Sequence, residues 1–269
     1  GKEYNIEKVY DSINDMFLDD NTDIIYITSP HNTHYEFMKK ALENGKHIFV
    51  EKSITLNSHE LDEMTELAES KGLIIAEAMT IWHMPVYKKL WEIVKSGELG
   101  KVQIITMNFG SFKEYNMSNR FFNMNLAGGA MLDIGVYALS IVRSFMDENP
   151  TEILSQWKPS PTGSDEQATI LLKNSEQQMA TVALSMHSKQ PKRAMISCEN
   201  GYIEIMEYPR ADKAIIVNAE TGEKKEITAG NTPDALYYEM LDMENAVNTG
   251  DTSATVSYTH LTLPTIYSV

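Results

Sequence analysis

Three short apolar runs recur at intervals of roughly 25 residues with a helical pattern between them, and this alternation constrains the fold more than any other feature of the chain. Asp23-Ile24-Ile25-Tyr26-Ile27-Thr28 ends at the turn signal Ser29-Pro30, His47-Ile48-Phe49-Val50 follows Gly45, and Leu73-Ile74-Ile75-Ala76 follows Lys71-Gly72. In the first interval His34, Phe37, Met38, Ala41 and Leu42 recur at i, i+3, i+4, i+7 and i+8, the stripe of an amphipathic helix, and Gly45 stands where a left-handed C-terminal residue is wanted. In the second, Asn57-Ser58-His59-Glu60 resembles a capping box ahead of the apolar face Leu61, Met64, Thr65 and Ala68. Strand, helix and strand in that order fold as right-handed βαβ units around a parallel sheet. With one more helix through Val86, Leu90, Ile93 and Val94, residues 1–99 read as part of a doubly wound α/β domain.

The pattern changes over residues 100–255. Lys101 to Phe109 suits a long strand, and Gly128-Gly129 precedes a helix from about Ala130 to Phe145 that is apolar nearly all round and therefore buried. Gln167–Leu172, Met179–Ser185, Ala194–Cys198, Tyr202–Met206 and Ala214–Val217 are β-rich, Asn200-Gly201 is a strong hairpin signal, and a last helix runs near Pro233 to Val247. Several strands joined by short turns predict an α+β domain with an open antiparallel sheet.

Composition narrows the function. The 269 residues are 42% hydrophobic and 23% charged, right for a soluble globular chain, and a formal charge of −15 opposes both nucleic acid and anionic membrane as partners. The lone Cys198 excludes an intrachain disulfide and fits a reducing cytoplasm, and no cluster has metal-ligand spacing. Gly1-Lys2-Glu3-Tyr4-Asn5 begins in mid-pattern, so an earlier segment is expected to precede it. Val256 to Thr265 reads VSYTHLTLPT, which resembles the translation of a sequencing-library transposon end, so residues 256–269 are expected to be a non-native tail.

In an open parallel sheet, ligands sit outside the carboxyl ends of the strands. The stretches in that place are Ser29-Pro30-His31-Asn32-Thr33-His34, Glu51-Lys52-Ser53 and Glu77-Ala78-Met79. Alone, Lys52 reads as a solvated loop residue and His34 as a packed or capping histidine. On the buried helix, Asp133, Tyr137, Ser140 and Ser144 form one polar stripe, which either faces a pocket or makes a hydrogen-bond ladder between helices.

As an ordered set, Ser29-Pro30-His31 with His34, Glu51-Lys52, Glu77-Ala78-Met79 and Gly128-Gly129-Ala130-Met131-Leu132-Asp133-Ile134-Gly135-Val136-Tyr137 resemble the motifs of the Gfo/Idh/MocA oxidoreductases over about residues 1 to 250. Asn119-Arg120-Phe121-Phe122 and the Asp-Ile-Gly-Val-Tyr form resemble the glucose-fructose oxidoreductase and dimeric dihydrodiol or xylose dehydrogenase branch.

The resemblance implies an incomplete Rossmann domain binding NAD or NADP and a substrate domain whose sheet carries homodimer contacts. It implies hydride transfer between nicotinamide and a CH–OH carbon of a sugar, polyol or cyclic diol. A non-catalytic nicotinamide- or sugar-binding regulator is the alternative.

Carried over by motif, Lys52 and Tyr137 are catalytic, and Asp133 is a substrate-contacting carboxylate. Ser29, Pro30, His31, His34, Glu51 and Lys52 line the cofactor, and Arg120 is a substrate contact. The glycine-rich phosphate turn would lie before Gly1, so NAD and NADP are not distinguished and the literal chain is expected to be inert. Tyr137 as a base at neutral pH must have its pKa lowered from about 10 by about 3, which the Lys52 ammonium is expected to do; with Lys52 aimed elsewhere, Tyr137 serves as an acid. The family usually has Pro after Glu-Lys, often in a cis bond. Here Ser53 follows, and because a cis bond before a non-proline costs roughly 2.5–4 kcal/mol, Lys52–Ser53 is expected to be trans or else strained.

Overall fold

A computed structural model describes residues 2–253; the expected non-native tail lies outside them. The first part runs α1 (Ile13–Phe17), β1 (Ile24–Ile27), α2 (His34–Glu43), β2 (His47–Glu51), α3 (Ser58–Lys71), β3 (Ile75–Ala78), α4 (Thr80–His83) and α5 (Pro85–Lys95). The three strands pair in parallel in the order β1-β2-β3. Met38 and Leu42 of α2 and Leu61 and Met64 of α3 bury one face of the sheet with Ile25, Ile27, Ile48 and Val50. Phe49, Ala76 and Ala78 on the other face meet Met243 of the C-terminal helix. Burial on both faces is why these strands are apolar runs and not alternating patterns. Local chemistry sets the helix ends. Asn57 caps α3 by accepting from the Glu60 amide at 2.9 Å, Glu60 accepts in return from Leu56 N–H, and Gly72 closes the helix at φ +65°.

The third strand starts two residues later than Leu73–Ala76. Its register with β2 runs from Ile48 opposite Ile75 to Glu51 opposite Ala78, so Glu77 lies inside the strand and not after it.

The second part contains β4 (Val102–Gly110), a π-helical turn at Met131–Gly135 that continues as α6 (Val136–Phe145), β5 (Pro150–Pro159), β6 (Asp165–Asn174), β7 (Met179–Ser185), β8 (Gln190–Cys198), β9 (Gly201–Met206), β10 (Lys213–Asn218), β11 (Lys224–Thr228) and α7 (Ala235–Thr249). Eight strands stand in the order β11-β10-β9-β8-β4-β7-β6-β5. Neighbours are antiparallel except β4 and β7, which run parallel, with β4 inserted between β8 and β7. The edge strands β5 and β11 were not individually legible: neither has a clean apolar alternation to mark it. One face of this sheet packs on α6 through residues such as Ile105, Ile170, Val182 and Ile196. No described element covers the other face, which carries Leu154 and Leu171, 70% and 42% exposed and directly paired.

Gly129 lies at φ +143°, and a Cβ there would stand 1.9 Å from Asp165 Oδ1. Gly129→Ala is therefore expected to cost on the order of 1–3 kcal/mol. Its thermal midpoint should fall by several degrees; an unchanged midpoint would show that the Asp165 loop gives way freely.

Candidate functional site

Two loops leave the carboxyl ends of β1 and β2 side by side, and a buried histidine ties them together. His34, fully buried, sets Nδ1 2.9 Å from the carbonyl oxygen of Ser53 and Nε2 2.9 Å from that of Ser29. The packed reading of His34 therefore describes its side chain, which sits behind the cleft and not on its surface. Of the two alternatives expected for the Lys52–Ser53 peptide, trans or a strained bond, trans is not observed: the peptide is cis. Ser53 is held in this geometry from several sides: its carbonyl faces His34, its Oγ donates to the Leu132 carbonyl at 2.9 Å, and the next amide, Ile54 N–H, donates to Glu77 Oε1 at 3.0 Å. Glu77, flagged in sequence as a residue after a strand, is thus a buried support of the Lys52 loop.

Lys52 crosses to the second domain. Its ammonium donates to the main-chain carbonyl of Asp133 at 2.7 Å and to Asp133 Oδ1 at 3.2 Å, and Arg120 Nη1 donates to the same Oδ1 at 2.9 Å. Asp133 lies in the π-helical turn, an irregularity frequent at functional sites. Burial alone would raise its carboxyl, but the Lys52 and Arg120 cations outweigh burial and hold it below the usual aspartate value.

Tyr137 stands one turn further on, with the Lys52 ammonium 5.1 Å from its ring centroid and the Phe109 ring centroid 6.3 Å away. Of the polar stripe only Asp133 lines the cleft; Tyr137 is not among the lining residues and adjoins it through the Lys52 ammonium over its ring. Ser144 donates to the carbonyl of Ile141 in its own helix, and Ser140 Oγ is buried without a partner among the described residues, so no interhelical ladder forms.

Ser29, Pro30, His31, Glu51, Lys52, Arg120 and Asp133 line one cleft of about 350 Å³, together with Thr28 and Leu126 to Gly128. That is within the usual size of a small-molecule site. Thr28, Leu126 and Ala127 were not anticipated; Gly128 belongs to the glycine pair of the motif, and a Cβ on it would meet the Arg120 carbonyl at 2.6 Å. His31 is pushed down to about 4 by burial, with Lys52 next in effect, so its imidazole is neutral at pH 7. Glu51 accepts from the Tyr26 hydroxyl at 2.8 Å. Tyr137 departs from the expected activation: burial first, then the charges of Glu51 and Asp133, raise its phenol well above the ordinary value. The Lys52 ammonium is hydrogen-bonded to Asp133 and lies over the ring face, and the phenol stays protonated across the neutral range. Glu239 of α7 was not anticipated either. Its carboxyl is buried without a hydrogen bond among the described residues and is pushed up to about 8, by burial first and then by Glu51.

The comparisons with known proteins fall on both halves of this geometry. Residues 1–79 match the model of an oxidoreductase family with an NAD-binding Rossmann fold, and residues 87–204 match the GFO/IDH/MocA C-terminal domain. The trans-1,2-dihydrobenzene-1,2-diol dehydrogenase of Xenopus tropicalis is 29% identical over 218 residues, 81% of this chain and 66% of its own length. The NADP(+) D-xylose 1-dehydrogenase of Hypocrea jecorina is 33% identical over 180 residues, 61% of this chain and 46% of its own. The chain therefore spans just under two thirds of the length of these diol dehydrogenases and less of the xylose enzyme.

Among solved structures, an aldose-aldose oxidoreductase from Caulobacter crescentus complexed with glycerol shares the fold at a TM-score of 0.85 and 20% identity, covering 97% of this chain and 81% of that one. KijD10, a 3-ketoreductase from Actinomadura kijaniata in complex with TDP-benzene and NADP, gives 0.78 at 19% identity, over 93% and 78%. The two family models follow each other along the chain in the order of its two sheets, and the chain belongs to the Gfo/Idh/MocA oxidoreductases.

Proposed function

We propose that this chain carries the active site of an NAD(P)-dependent dehydrogenase or reductase that moves a hydride between nicotinamide and a CH–OH carbon of a sugar, polyol or cyclic diol. The observation that supports it best is the meeting of Lys52 from the nucleotide-binding domain with Asp133 and Tyr137 from the other domain at the carboxyl ends of the parallel strands. The residues present suit a nicotinamide cofactor: neutral His31 and the small polar Thr28 and Ser29 make one wall of the cleft, and Glu51 and Lys52 the adjoining one. When bound, nicotinamide supplies the hydride donor or acceptor.

The protein's own groups then divide the rest. The Lys52 ammonium faces the oxygen on which charge develops and stabilises it. Asp133, kept ionised by Lys52 and Arg120, accepts from a substrate hydroxyl and fixes the position of the carbon that exchanges the hydride. Tyr137, with its raised phenol, donates the proton to the carbonyl oxygen in reduction and takes it back in oxidation. The relatives named above act on a diol and on xylose by their names, which supports this substrate class.

The test is a change in nicotinamide absorbance across a polyol and sugar panel in a chain extended to the length of its relatives. Cofactor binding with no turnover on any substrate would favour a sensing protein instead.

The uncovered sheet face supports a homodimer, and the lone free Cys198 a reducing, cytoplasmic setting. Ile104 beside Met179 and Leu154 beside Leu171 leave an exposed apolar surface of the kind that pairs with a second copy. Leu154→Lys with Leu171→Lys is expected to convert a dimer to a monomer in sedimentation velocity. A parent chain that sediments as a monomer would overturn the assignment.

A further inference from the structure

A second cavity, of about 270 Å³, lies across Ala127 and Gly128 from the first, and these two residues line both. Met124, Met131 and Leu132 form one side of it, and Trp157, Ala168 and Ile170 of β5 and β6 form the other. On the edge strand β5, Trp157 pairs with the buried Ala168 of β6 and is itself half exposed. Among the described residues, Asp165 is the only charged residue lining it. Its carboxylate is fixed: Oδ2 accepts the Met131 amide at 2.7 Å, and Oδ1 occupies the space a Gly129 side chain would need. The same carboxylate therefore caps the turn that carries Asp133 toward the first cleft.

We propose that this chamber is a subsite for the apolar end of the substrate, an uncharged ring or branched hydrocarbon group joined to the sugar or diol that reacts in the first cleft. The inference rests on the oxidoreductase reading. Size excludes a protein element, because a helix is about 10–12 Å across with its side chains. Charge excludes phosphate and carboxylate groups, because the chamber offers an anion and no cation. The aromatic, thioether and aliphatic walls favour a flat or compact apolar group, and Asp165 can accept one hydroxyl or amide donor from it. Both spaces are partly open to solvent and the two residues between them, Ala127 and Gly128, are small, so one molecule can reach over them from the cleft into the chamber.

Trp157 makes the test direct. The other two tryptophans, Trp82 and Trp91, pack on each other at 5.4 Å in the main core and do not line the chamber. Phenyl and methyl β-D-glucoside, and benzyl alcohol alone, are titrated into this chain while tryptophan emission and binding heat are followed.

Phenyl glucoside is expected to bind at least about tenfold more tightly than methyl glucoside, corresponding to about 1.4 kcal/mol. Both aromatic probes should perturb the emission, and Trp157→Ala or Ala168→Phe should abolish the advantage of the phenyl group without weakening methyl glucoside. Equal affinity for the two glucosides, or a phenyl advantage that survives in both variants, would overturn the subsite. If benzyl alcohol perturbs Trp157 while the extended chain oxidises no sugar or diol, the chamber stands as an apolar site and the oxidoreductase reading fails.

Discussion

Tyr137→Phe is expected to lower turnover by about 10²- to 10⁴-fold while leaving cofactor affinity and KM nearly unchanged, because it removes the phenolic hydroxyl and keeps the ring. The ring keeps its contact with Phe109 and its place beside the Lys52 ammonium, so binding is preserved. The raised phenol adds a pH expectation. Across the neutral range the group stays protonated, so the reduction rate should not fall between pH 6 and pH 8 through loss of the Tyr137 proton. Turnover of the variant within about threefold of the parent would take Tyr137 out of the chemistry and leave water or another group as the donor.

Lys52→Ala is expected to cost as much in turnover, on the order of 10²- to 10³-fold, and to add an effect that Tyr137→Phe does not have. The ammonium bonds two oxygens of Asp133 and is the largest of the influences holding that carboxyl down. Without it, burial regains ground and the Asp133 pKa rises. The sign follows from linkage. A carboxyl whose folded pKa is depressed contributes stability that is present above its unfolded pKa and lost as pH falls through the folded value. The variant should therefore be less stable than the parent at neutral pH, with the deficit shrinking as pH falls below the ordinary aspartate range. Stability measured against pH by urea denaturation, alongside the acid limb of the rate profile, checks both parts. An unchanged acid limb would mean that Arg120 alone holds Asp133. Lys52→Arg is not expected to restore activity, since the planar guanidinium cannot place one nitrogen between a helix carbonyl and its own side chain in the same space.

How much of this was legible in the sequence differs from residue to residue. The three parallel strands were legible because both their faces are buried, and a run such as Ile24 to Ile27 has few other places to go. The edge strands β5 and β11 were not, since an edge that buries little carries little apolar pattern. The start of β3 was missed by two residues because Leu73 and Ile74 are as apolar as the strand they lead into, and only pairing with β2 fixes the register. In the site, motif order identified Ser29, Pro30, His31, Glu51, Lys52, Arg120 and Asp133, all of which share one cleft. His34 was chosen for the cleft by motif and for packing by periodicity, and its buried ring follows the periodicity.

The sequence by itself determined the layered architecture, the family, and which side chains gather at the strand ends, because burial periodicity and the spacing of turn residues are local properties that survive without coordinates. Only the tertiary structure decided what those side chains do to one another. Whether Lys52 would lower the Tyr137 phenol or neutralise Asp133 depends on a few ångströms across a domain boundary. So do the cis form of Lys52–Ser53 and the chamber behind Ala127 and Gly128, since electrostatic influence and packing depend on distances between residues remote in sequence.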